Sequence, residues 1–200
     1  MKITHLLGTD YRRMRWKNGG GWTTELYVHP LRGGGEGFEW RVSIAEIESD
    51  GAFSLFPQCD RWIALLDGAG MFLDFDGAPA APLDQRLDFV QFSGDEPTHG
   101  SLIDGPVRDF NLIARRDLWQ CEVRHRPLVG SMLFAASTAD LWFVHLAAGS
   151  ARVERRDDLP VIAAGESLLI ATDGESGSVV IDGGGELVVA KLSAAQGISV

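Results

Sequence analysis

The chain has 200 residues, of which 45% are hydrophobic, and it carries a formal net charge of −10 with a pI near 4.9. This composition predicts a folded globular protein and argues against intrinsic disorder. It also argues against a nucleic-acid surface or an anionic-membrane surface, since either would need clustered Lys and Arg side chains. Cys59 and Cys121 are isolated in the sequence, and no long apolar run occurs, so we expect a cytoplasmic protein with free thiols.

The first unusual segment is RWKNGGGWTTE, residues 15–25, in which Trp16, Lys17 and Asn18 precede three consecutive glycines. A phosphate-binding loop has its lysine and its hydroxyl residue after the last glycine, at the start of a helix. Here Lys17 comes first, and a β-prone segment follows the glycines. A dinucleotide-binding loop would also need a strand before it and a helix after it. A hairpin turn and a ligand-binding loop are the two interpretations left open.

Short β-branched and aromatic runs follow along the whole chain, separated by Gly, Asp and Pro, and this pattern predicts an all-β protein. In the first part of the chain the clearest predicted strands are 40–47, 61–66, 71–75, 87–92, 110–114 and 120–126. In the second part they are 141–146, 150–156, 166–171, 178–181 and 186–192.

The two parts resemble each other in sequence. DRWIALLDGAGMFLDF from Asp60 aligns with DLWFVHLAAGSARVER from Asp140, so that Trp62 corresponds to Trp142, and a Gly-acid turn and a closing strand follow in both. We therefore expect a tandem cupin, or bicupin, with two jelly-roll β-barrels. The predicted units are residues 1–126 and residues 127–200.

The residues of a cupin metal site are missing from the sequence. Metal-dependent cupins need closely spaced imidazoles, because alternate strand positions project to one face and can share an ion. The histidines of this chain are far apart, at His5, His29, His99, His125 and His145. We expect no bound metal and no other cofactor. Serine and cysteine residues also lack the sequence neighbours that would activate a nucleophile.

Polar residues lie within strand sequence in the first unit. Arg41 and Ser43 would share one face of their strand, and Asp109 and Asn111 would share one face of another. Buried polar side chains must be paired or hydrogen-bonded, so such residues form either an internal network or a pocket that awaits a ligand. Their number favours a pocket. The predicted ligand-binding residues are Lys17, Asn18, Arg41, Ser43, Arg61, Asp109 and Asn111.

Several motifs, in order, resemble the HutD/Ves family of bicupin proteins. They are RWKNGGG at 15–21 with Glu25 after it, WRVSIAEI followed by GAFSLFP and DR, LLDGAGM, FSGD and GPVRDFNLIARR. The resemblance spans most of residues 15–116 and is mostly architectural beyond Leu118. Gln58 and Cys59 stand where family members commonly carry a glycine, and Ile113 stands where methionine is usual.

The resemblance implies a cytoplasmic tandem cupin of the RmlC-like jelly-roll type, often dimeric. It also implies a link to bacterial histidine utilisation, through binding of a small pathway intermediate rather than through catalysis. The glycine-rich loop would then cross the mouth of the first barrel, with Lys17 and Asn18 facing an acidic ligand and Trp16 anchored in the core. We expect a homodimer, because apolar strands such as 186–192 would leave sheet edges that need cover.

Three functions stay open at this point. The first is a regulatory bicupin that binds a small anionic molecule, a carboxylate such as an acidic intermediate of histidine breakdown. The second is a metal-independent enzyme, an isomerase or hydrolase, with Asp109 or Glu25 as general base. The third is a structural or partner-binding β-protein. The cations Lys17, Arg41 and Arg61 favour the first, since they oppose the negative charge of the whole chain.

Overall fold

The computed structural model describes residues 1–76 and 80–195. Within these ranges the chain is almost entirely β-structure, with one 3-10 turn at Gly8–Asp10. No helix there is long and apolar enough to cross a membrane. The strands are β1 (Lys2–Leu6), β2 (Arg12–Arg15), β3 (Gly21–Pro30), β4 (Phe38–Ile47), β5 (Gly51–Ala52), β6 (Cys59–Asp67), β7 (Met71–Phe75), β8 (Ala81–Leu83), β9 (Phe89–Ser93), β10 (Thr98–Leu102), β11 (Val107–Arg115), β12 (Trp119–Ala136), β13 (Asp140–Val153), β14 (Ile162–Ala163), β15 (Ser167–Ala171) and β16 (Gly177–Ala194).

The chain divides into two compact units, and the division differs from the predicted one. The N-terminal unit is Tyr11–Asp117, and the C-terminal unit combines Met1–Asp10 with Leu118–Val200. The expected boundary after residue 126 lies inside β12, a single strand that continues to Ala136. The first strand, β1, pairs with β15 across the whole length of the sequence. Sequence patterns could not indicate this pairing, because it depends on contacts between distant residues rather than on local periodicity.

The N-terminal unit consists of β2 to β11, arranged in two antiparallel sheets. The larger sheet has the order β2-β3-β4-β11-β6-β9, and the smaller has the order β5-β10-β7-β8. Ile63 and Leu65 from the larger sheet join Met71 and Leu73 from the smaller sheet in one hydrophobic cluster. The two sheets therefore face each other across a shared core, as in a sandwich stabilised by the burial of apolar side chains.

The predicted faces of the two polar strands are confirmed. In the pairing of β4 with β11, Ser43 lies opposite Asn111 and Val42 lies opposite Leu112. Residues that lie directly opposite each other in an antiparallel pair point to the same side of the sheet. The polar pairs Arg41/Ser43 and Asp109/Asn111 thus share one face of the sheet, opposite the face of Val42 and Leu112, as the period of two predicts.

The C-terminal unit forms one antiparallel sheet in the order β1-β15-β13-β16-β12, with β14 beside β13. Its three longest strands, β12, β13 and β16, contribute most of a second hydrophobic cluster. Fully buried members of this cluster include Leu128, Leu146, Ile170 and Leu187. At its margin, His5 Nε2 of β1 lies 2.9 Å from Glu166 Oε2.

Two of these long strands were each predicted as a pair of strands. Segments 141–146 and 150–156 belong largely to β13, and segments 178–181 and 186–192 both belong to β16. The intervening glycines were expected to form turns, but here they allow neighbouring backbones to approach closely. A Cβ atom on Gly149 would collide with the backbone of Gly184, and one on Gly185 with the backbone of Ala148. Glycine inside a strand often marks such an approach or a bulge, and β13 has a register shift at Leu146/Ala148.

The sequence alignment of the two parts does not predict correctly which aligned side chains face the core. It equates Trp62 with Trp142. In the structure, however, Ile63 and Leu65 of β6 are the ones that join the core of their unit, whereas Trp142 packs on the core of the C-terminal unit. The two matched tryptophans therefore point to opposite sides relative to the cores of their units. A shift of one residue along a strand produces this difference, because successive side chains alternate between the two faces of a sheet.

The reason given for a homodimer also needs correction. Segment 186–192 lies in β16, which is paired with β13 on one side and β12 on the other. It is not a sheet edge. In the described part of this sheet the edge strands are β1, β12 and the short β14. The homodimer itself stays a prediction.

Candidate ligand-binding cavity

Three central strands of the N-terminal unit, β4, β11 and β6, present three rows of side chains on one face of the larger sheet. Ile113 of β11 is paired with Arg41 on one side and Arg61 on the other. The next row along the strands contains Ser43, Asn111 and Ile63, and the row after it contains Ala45, Asp109 and Leu65. Two arginines therefore flank one apolar side chain, and their polar neighbours lie deeper along the same face.

A cavity of about 530 Å³ lies over these rows, within the range typical of small-molecule sites. Six of the seven predicted ligand-binding residues line it, and the seventh, Asp109, does not. The lining residues are Met14, Arg15, Trp16, Lys17, Asn18, Gly20, Thr23, Arg41, Ser43, Ala45, Ile47, Ser49, Asp50, Gly51, Ala52, Phe53, Ser54, Phe56, Arg61, Gly100 and Asn111. The predicted residues thus converge on one cavity, although they come from distant parts of the chain.

Arg61 is a buried cation with few polar partners. Its side chain donates to the Ser54 carbonyl and to Asn111 Oδ1, both at 3.3 Å. Its guanidinium carbon lies 5.1, 5.5 and 4.9 Å from the ring centroids of Phe53, Phe56 and Phe92. Burial lowers the Arg61 pKa to about 10, so the guanidinium is still protonated at neutral pH. Its Nε is buried and has no hydrogen-bond partner among the described residues.

Arg41 has a similar environment. Its guanidinium carbon lies 5.1 Å from the Phe38 ring centroid and 5.2 Å from that of Phe56. The nearest carboxylate oxygen in an ion pair, Glu25 Oε2, is 4.0 Å from Nη1, at the limit of a salt bridge. Burial lowers the Arg41 pKa, and Glu25 partly offsets this effect. Within the described residues the Arg41 Nε also lacks a hydrogen-bond partner, which is costly for a buried charged group.

Asp109 lies behind the cavity wall. Its side chain is completely buried, and Asn111 Nδ2 donates to its Oδ1 at 3.5 Å. Burial raises the Asp109 pKa to about 7, against the opposing influence of the Arg61 charge. The other oxygen, Oδ2, has no hydrogen-bond partner in residues 1–76 and 80–195. A chain of polar contacts therefore leads from the cavity through Arg61 and Asn111 to a buried carboxyl group.

Two of the phenylalanines over the arginines, Phe53 and Phe56, come from the segment between β5 and β6, which sequence reasoning did not assign to the site. Phe56 N donates to the Gly94 carbonyl at 2.8 Å, and Gln58 N donates to Asp95 Oδ1 at 3.0 Å. Gln58 has a φ of 63°, in the left-handed region that favours glycine. Glycine would adopt this conformation without strain, whereas the present chain has Gln58 at this position.

The glycine-rich loop is the hairpin turn between β2 and β3, and it forms part of the cavity wall. Gly19 has a φ of 75°, and Asn18 Oδ1 accepts a hydrogen bond from Gly20 N at 3.0 Å. A Cβ atom on Gly21 would collide with the Glu46 carbonyl and would lie 3.2 Å from the Trp16 ring. The Trp16 ring is partly buried against the core, and its Nε1 donates to Thr23 Oγ1 at 2.7 Å. The hairpin and ligand-loop interpretations are therefore compatible.

The cavity offers little to the other chemistries considered. Neither Asp109 nor Glu25, the two candidate general bases, is among the described residues that line it. In the parts of the chain that the structure describes, no group of three or more His, Cys, Asp or Glu side chains is arranged to hold a metal ion. Among the described residues neither cysteine forms a disulfide, and burial raises the pKa of the Cys59 thiol.

Several known proteins are similar to this chain in sequence and in fold. The sequence profile of the HutD family matches residues 8–189. A Pseudomonas putida protein described as an uncharacterised 21.2 kDa protein in the hutC 3′ region is 41% identical over 149 residues, 74% of this chain and 75% of that protein. Protein Ves of Cronobacter sakazakii is 40% identical over 110 residues, 54% of this chain and 59% of that protein. The solved structure of HutD from Pseudomonas fluorescens SBW25 has a TM-score of 0.83 at 30% identity, covering 97% of this chain and 100% of that one.

Proposed function

The chain belongs to the HutD family and has an all-β, cupin-type jelly-roll fold, and on that premise we propose that it binds a small carboxylate in the cavity of its N-terminal unit. The binding would serve the regulation of histidine utilisation, with an acidic intermediate of histidine breakdown as the ligand. The relative from Pseudomonas putida is described by its position in the hutC 3′ region, which supports the link to this pathway.

The observation that carries the proposal is the pair of arginines on one wall of the cavity. Arg41 and Arg61 flank Ile113 on the same face, and each has a buried Nε without a partner among the described residues. A carboxylate can accept two parallel hydrogen bonds from one guanidinium group, which gives oriented and charge-assisted binding. The phenylalanine rings around both cations reduce competition from water, so a charged ligand would gain more here than at an exposed site.

The alternatives have less support. A general base for an isomerase or hydrolase should reach the substrate within hydrogen-bond distance. The lining residues that we can describe include neither Glu25 nor Asp109, and Asn111 lies between Asp109 and the cavity. A purely structural protein would gain nothing from two incompletely paired arginines in its interior, since such groups reduce stability.

We also propose a cytoplasmic homodimer. Cys59 and Cys121 are not joined in a disulfide in the described chain, which is consistent with a reducing compartment. Strand β12 is an edge strand in the described sheet, and its outward residues Val129 and Leu133 are 90% and 63% exposed. Unpaired edges with apolar side chains favour association. A mass of 21.7 kDa by light scattering at micromolar concentration, the mass of one chain, would contradict the dimer.

Substitution of Arg41 tests the proposed function. We expect Arg41→Met to weaken the binding of acetate, or of a carboxylate from histidine breakdown, by about 30-fold to 1000-fold, because losing such a contact costs about 2–4 kcal/mol. Isothermal titration calorimetry measures the affinity, and thermal melting measures the stability, which should change much less. Arg13→Met is the matched control, since Arg13 lies over the Trp22 ring and pairs with Glu46 outside the cavity. Unchanged affinity together with a large loss of stability would contradict the proposal.

A further inference from the structure

The contacts behind the cavity couple the proposed ligand to a second ionisable group. Arg61 Nη2 donates to Asn111 Oδ1, and Asn111 Nδ2 donates to Asp109 Oδ1. Asp109 Oδ2 is buried and has no partner in the described part of the chain. A carboxylate in such a position is poorly compensated, because an ionised carboxylate accepts hydrogen bonds at both oxygens when it is stably buried.

The charged groups that face Asp109 are few. On its own face of the sheet it lies between Ala45 and Leu65, which belong to the hydrophobic cluster of the unit together with Met71 and Leu73 of the smaller sheet. Arg61 is the charge that acts on it most strongly. Arg41 lies on the other side of Ile113 from Arg61 and is opposed by Glu25, and the Cys59 thiol near both arginines is kept neutral by burial.

From this geometry we infer that a carboxylate ligand enters the cavity together with one proton, which is taken up by Asp109. The inference rests on the proposed function, since it needs an anion at Arg61. A bound anion would neutralise the one cation that compensates Asp109, and it would add a second negative charge in a region of low dielectric. Two like charges at such a site cannot both persist easily, so one of them accepts a proton.

The proton balance of this step is simple. A buffer acid or water loses the proton, an O–H bond forms on the Asp109 carboxyl group, and no other covalent bond changes. Without ligand the Asp109 pKa is about 7, and a nearby anion would raise it further. Proton uptake is therefore expected above pH 7, and the affinity should be highest below that pH and fall as the pH rises. The fall approaches tenfold per pH unit until the pKa of the liganded state is reached.

Calorimetric titration with acetate tests the inference, because acetate stays ionised throughout this pH range. At pH 7.5 to 8 the binding heat of the wild-type protein should differ between triethanolamine and Tris buffers, whose ionisation enthalpies differ and which carry no anionic group that could compete with acetate. The difference should correspond to the uptake of about half a proton to one proton per chain. Asp109→Asn, which mimics the protonated group in shape, should bind acetate with no proton uptake and with an affinity that is independent of pH. Asp88→Asn, which changes an exposed carboxylate of the same unit, should behave like the wild type.

The possible outcomes distinguish proton uptake by Asp109 from carboxylate binding in the cavity. Acetate binding with heats that do not depend on the buffer would overturn the inference and leave the proposed function standing. Unaltered proton uptake by Asp109→Asn would overturn the assignment to Asp109. If acetate and the carboxylates of histidine breakdown fail to bind at every pH from 6 to 8.5, the proposed function is wrong and the inference is wrong with it. The wild-type measurement decides the question even if Asp109→Asn fails to fold.

Discussion

The N-terminal and C-terminal units differ most in the side chains that line their interiors. In the N-terminal unit the central strands bring Arg41, Ser43, Arg61, Asp109 and Asn111 to the same face as the core. In the C-terminal unit the corresponding interior is filled by aliphatic and aromatic side chains such as Phe134, Leu146 and Leu187. Both interiors obey the same period of two. Strand periodicity therefore decides which side chains point inward, whereas residue chemistry decides whether the interior becomes a binding cavity or a packed core.

The difference has a cost in stability. A packed apolar interior contributes to folding with every side chain that it buries. The polar rows of the N-terminal unit instead hold two desolvated cations and a desolvated carboxyl group, with several hydrogen-bonding atoms unmatched among the described residues. Such groups reduce stability unless a ligand completes their contacts. We therefore expect mutations in the two interiors to have opposite effects, and the following predictions test this contrast.

The largest effect is expected from truncation in the C-terminal core. Phe134 is buried, and its ring packs edge-on against Trp142 at a centroid distance of 5.3 Å. Phe134→Ala should lower the free energy of unfolding by about 3–5 kcal/mol, because it removes apolar contacts and leaves a cavity. Urea unfolding measures this loss. The affinity for acetate, measured below the unfolding temperature, should be unchanged, and a parallel loss of affinity would contradict the division of roles between the units.

Removal of the buried charge in the N-terminal unit should have the opposite sign. The folded-state pKa of Asp109, about 7, lies above its ordinary value of 3.8, so the folded protein binds this proton more tightly than the unfolded chain does. Its contribution to stability is then fully present below pH 3.8 and is lost as the pH rises through 7. The amide introduced by Asp109→Asn does not ionise, so this variant avoids the cost of a buried carboxylate and should be more stable than the wild type by up to about 4 kcal/mol at pH 8. The advantage should shrink steadily towards pH 4. Unfolding curves at several pH values measure it, and a variant less stable at pH 8 would show that the carboxylate is needed by the fold.

The smallest effect is expected at the turn that leads into β6. Gln58 has a left-handed backbone conformation, which costs a non-glycine residue about 1 kcal/mol. Gln58→Gly removes this strain but increases the freedom of the unfolded chain, so the net gain in stability should be below about 1 kcal/mol. Thermal melting measures the gain, and Gln120→Gly in the strand β12 is a control that should destabilise the protein. If Gln58→Gly lowers the melting temperature as much as Gln120→Gly does, the hydrogen bond from Arg115 to the Gln58 side chain stabilises the fold by more than the backbone strain costs.

Much of the cavity could be predicted from the sequence, because its wall is built from regular strands. The alternation in β4 and β11 indicates that Arg41 lies on the same face as Ser43, and Asp109 on the same face as Asn111. Arg61 can be identified as a candidate because its positive charge is opposite to the net charge of the chain. Phe53 and Phe56 were missed as site residues because they lie in an irregular segment, whose path is fixed by hydrogen bonds to Gly94 and Asp95 rather than by periodicity. The position of Asp109 behind the wall, instead of in it, depends on side-chain packing in three dimensions and has no signal in the sequence.

The division into units shows a similar limit. Local patterns identified the central strands of both units, but they missed β1, β2 and β10 and the short strands β5, β8 and β14, and they did not indicate where a strand would continue through glycine. The run Gly183 to Gly185 is typical of a turn, and the close approach of Ala148 that makes it part of β16 comes from another region of the chain. The placement of β1 in the C-terminal unit is likewise a long-range pairing. Sequence reasoning was strongest where the determining contacts are local.

That pairing has a consequence for how the chain folds during synthesis. Residues Lys2 to Leu6 pair with Ser167 to Ala171, so β1 leaves the ribosome long before its partner strand has been synthesised. At the usual rate of translation, about 5–20 residues per second, the β1 segment waits roughly ten seconds or more for β15. The segment Tyr11–Asp117, complete within itself, can fold in that interval. High contact order of this kind slows folding and exposes an unpaired strand, so the yield of the native protein should depend on the first ten residues more than their small number suggests.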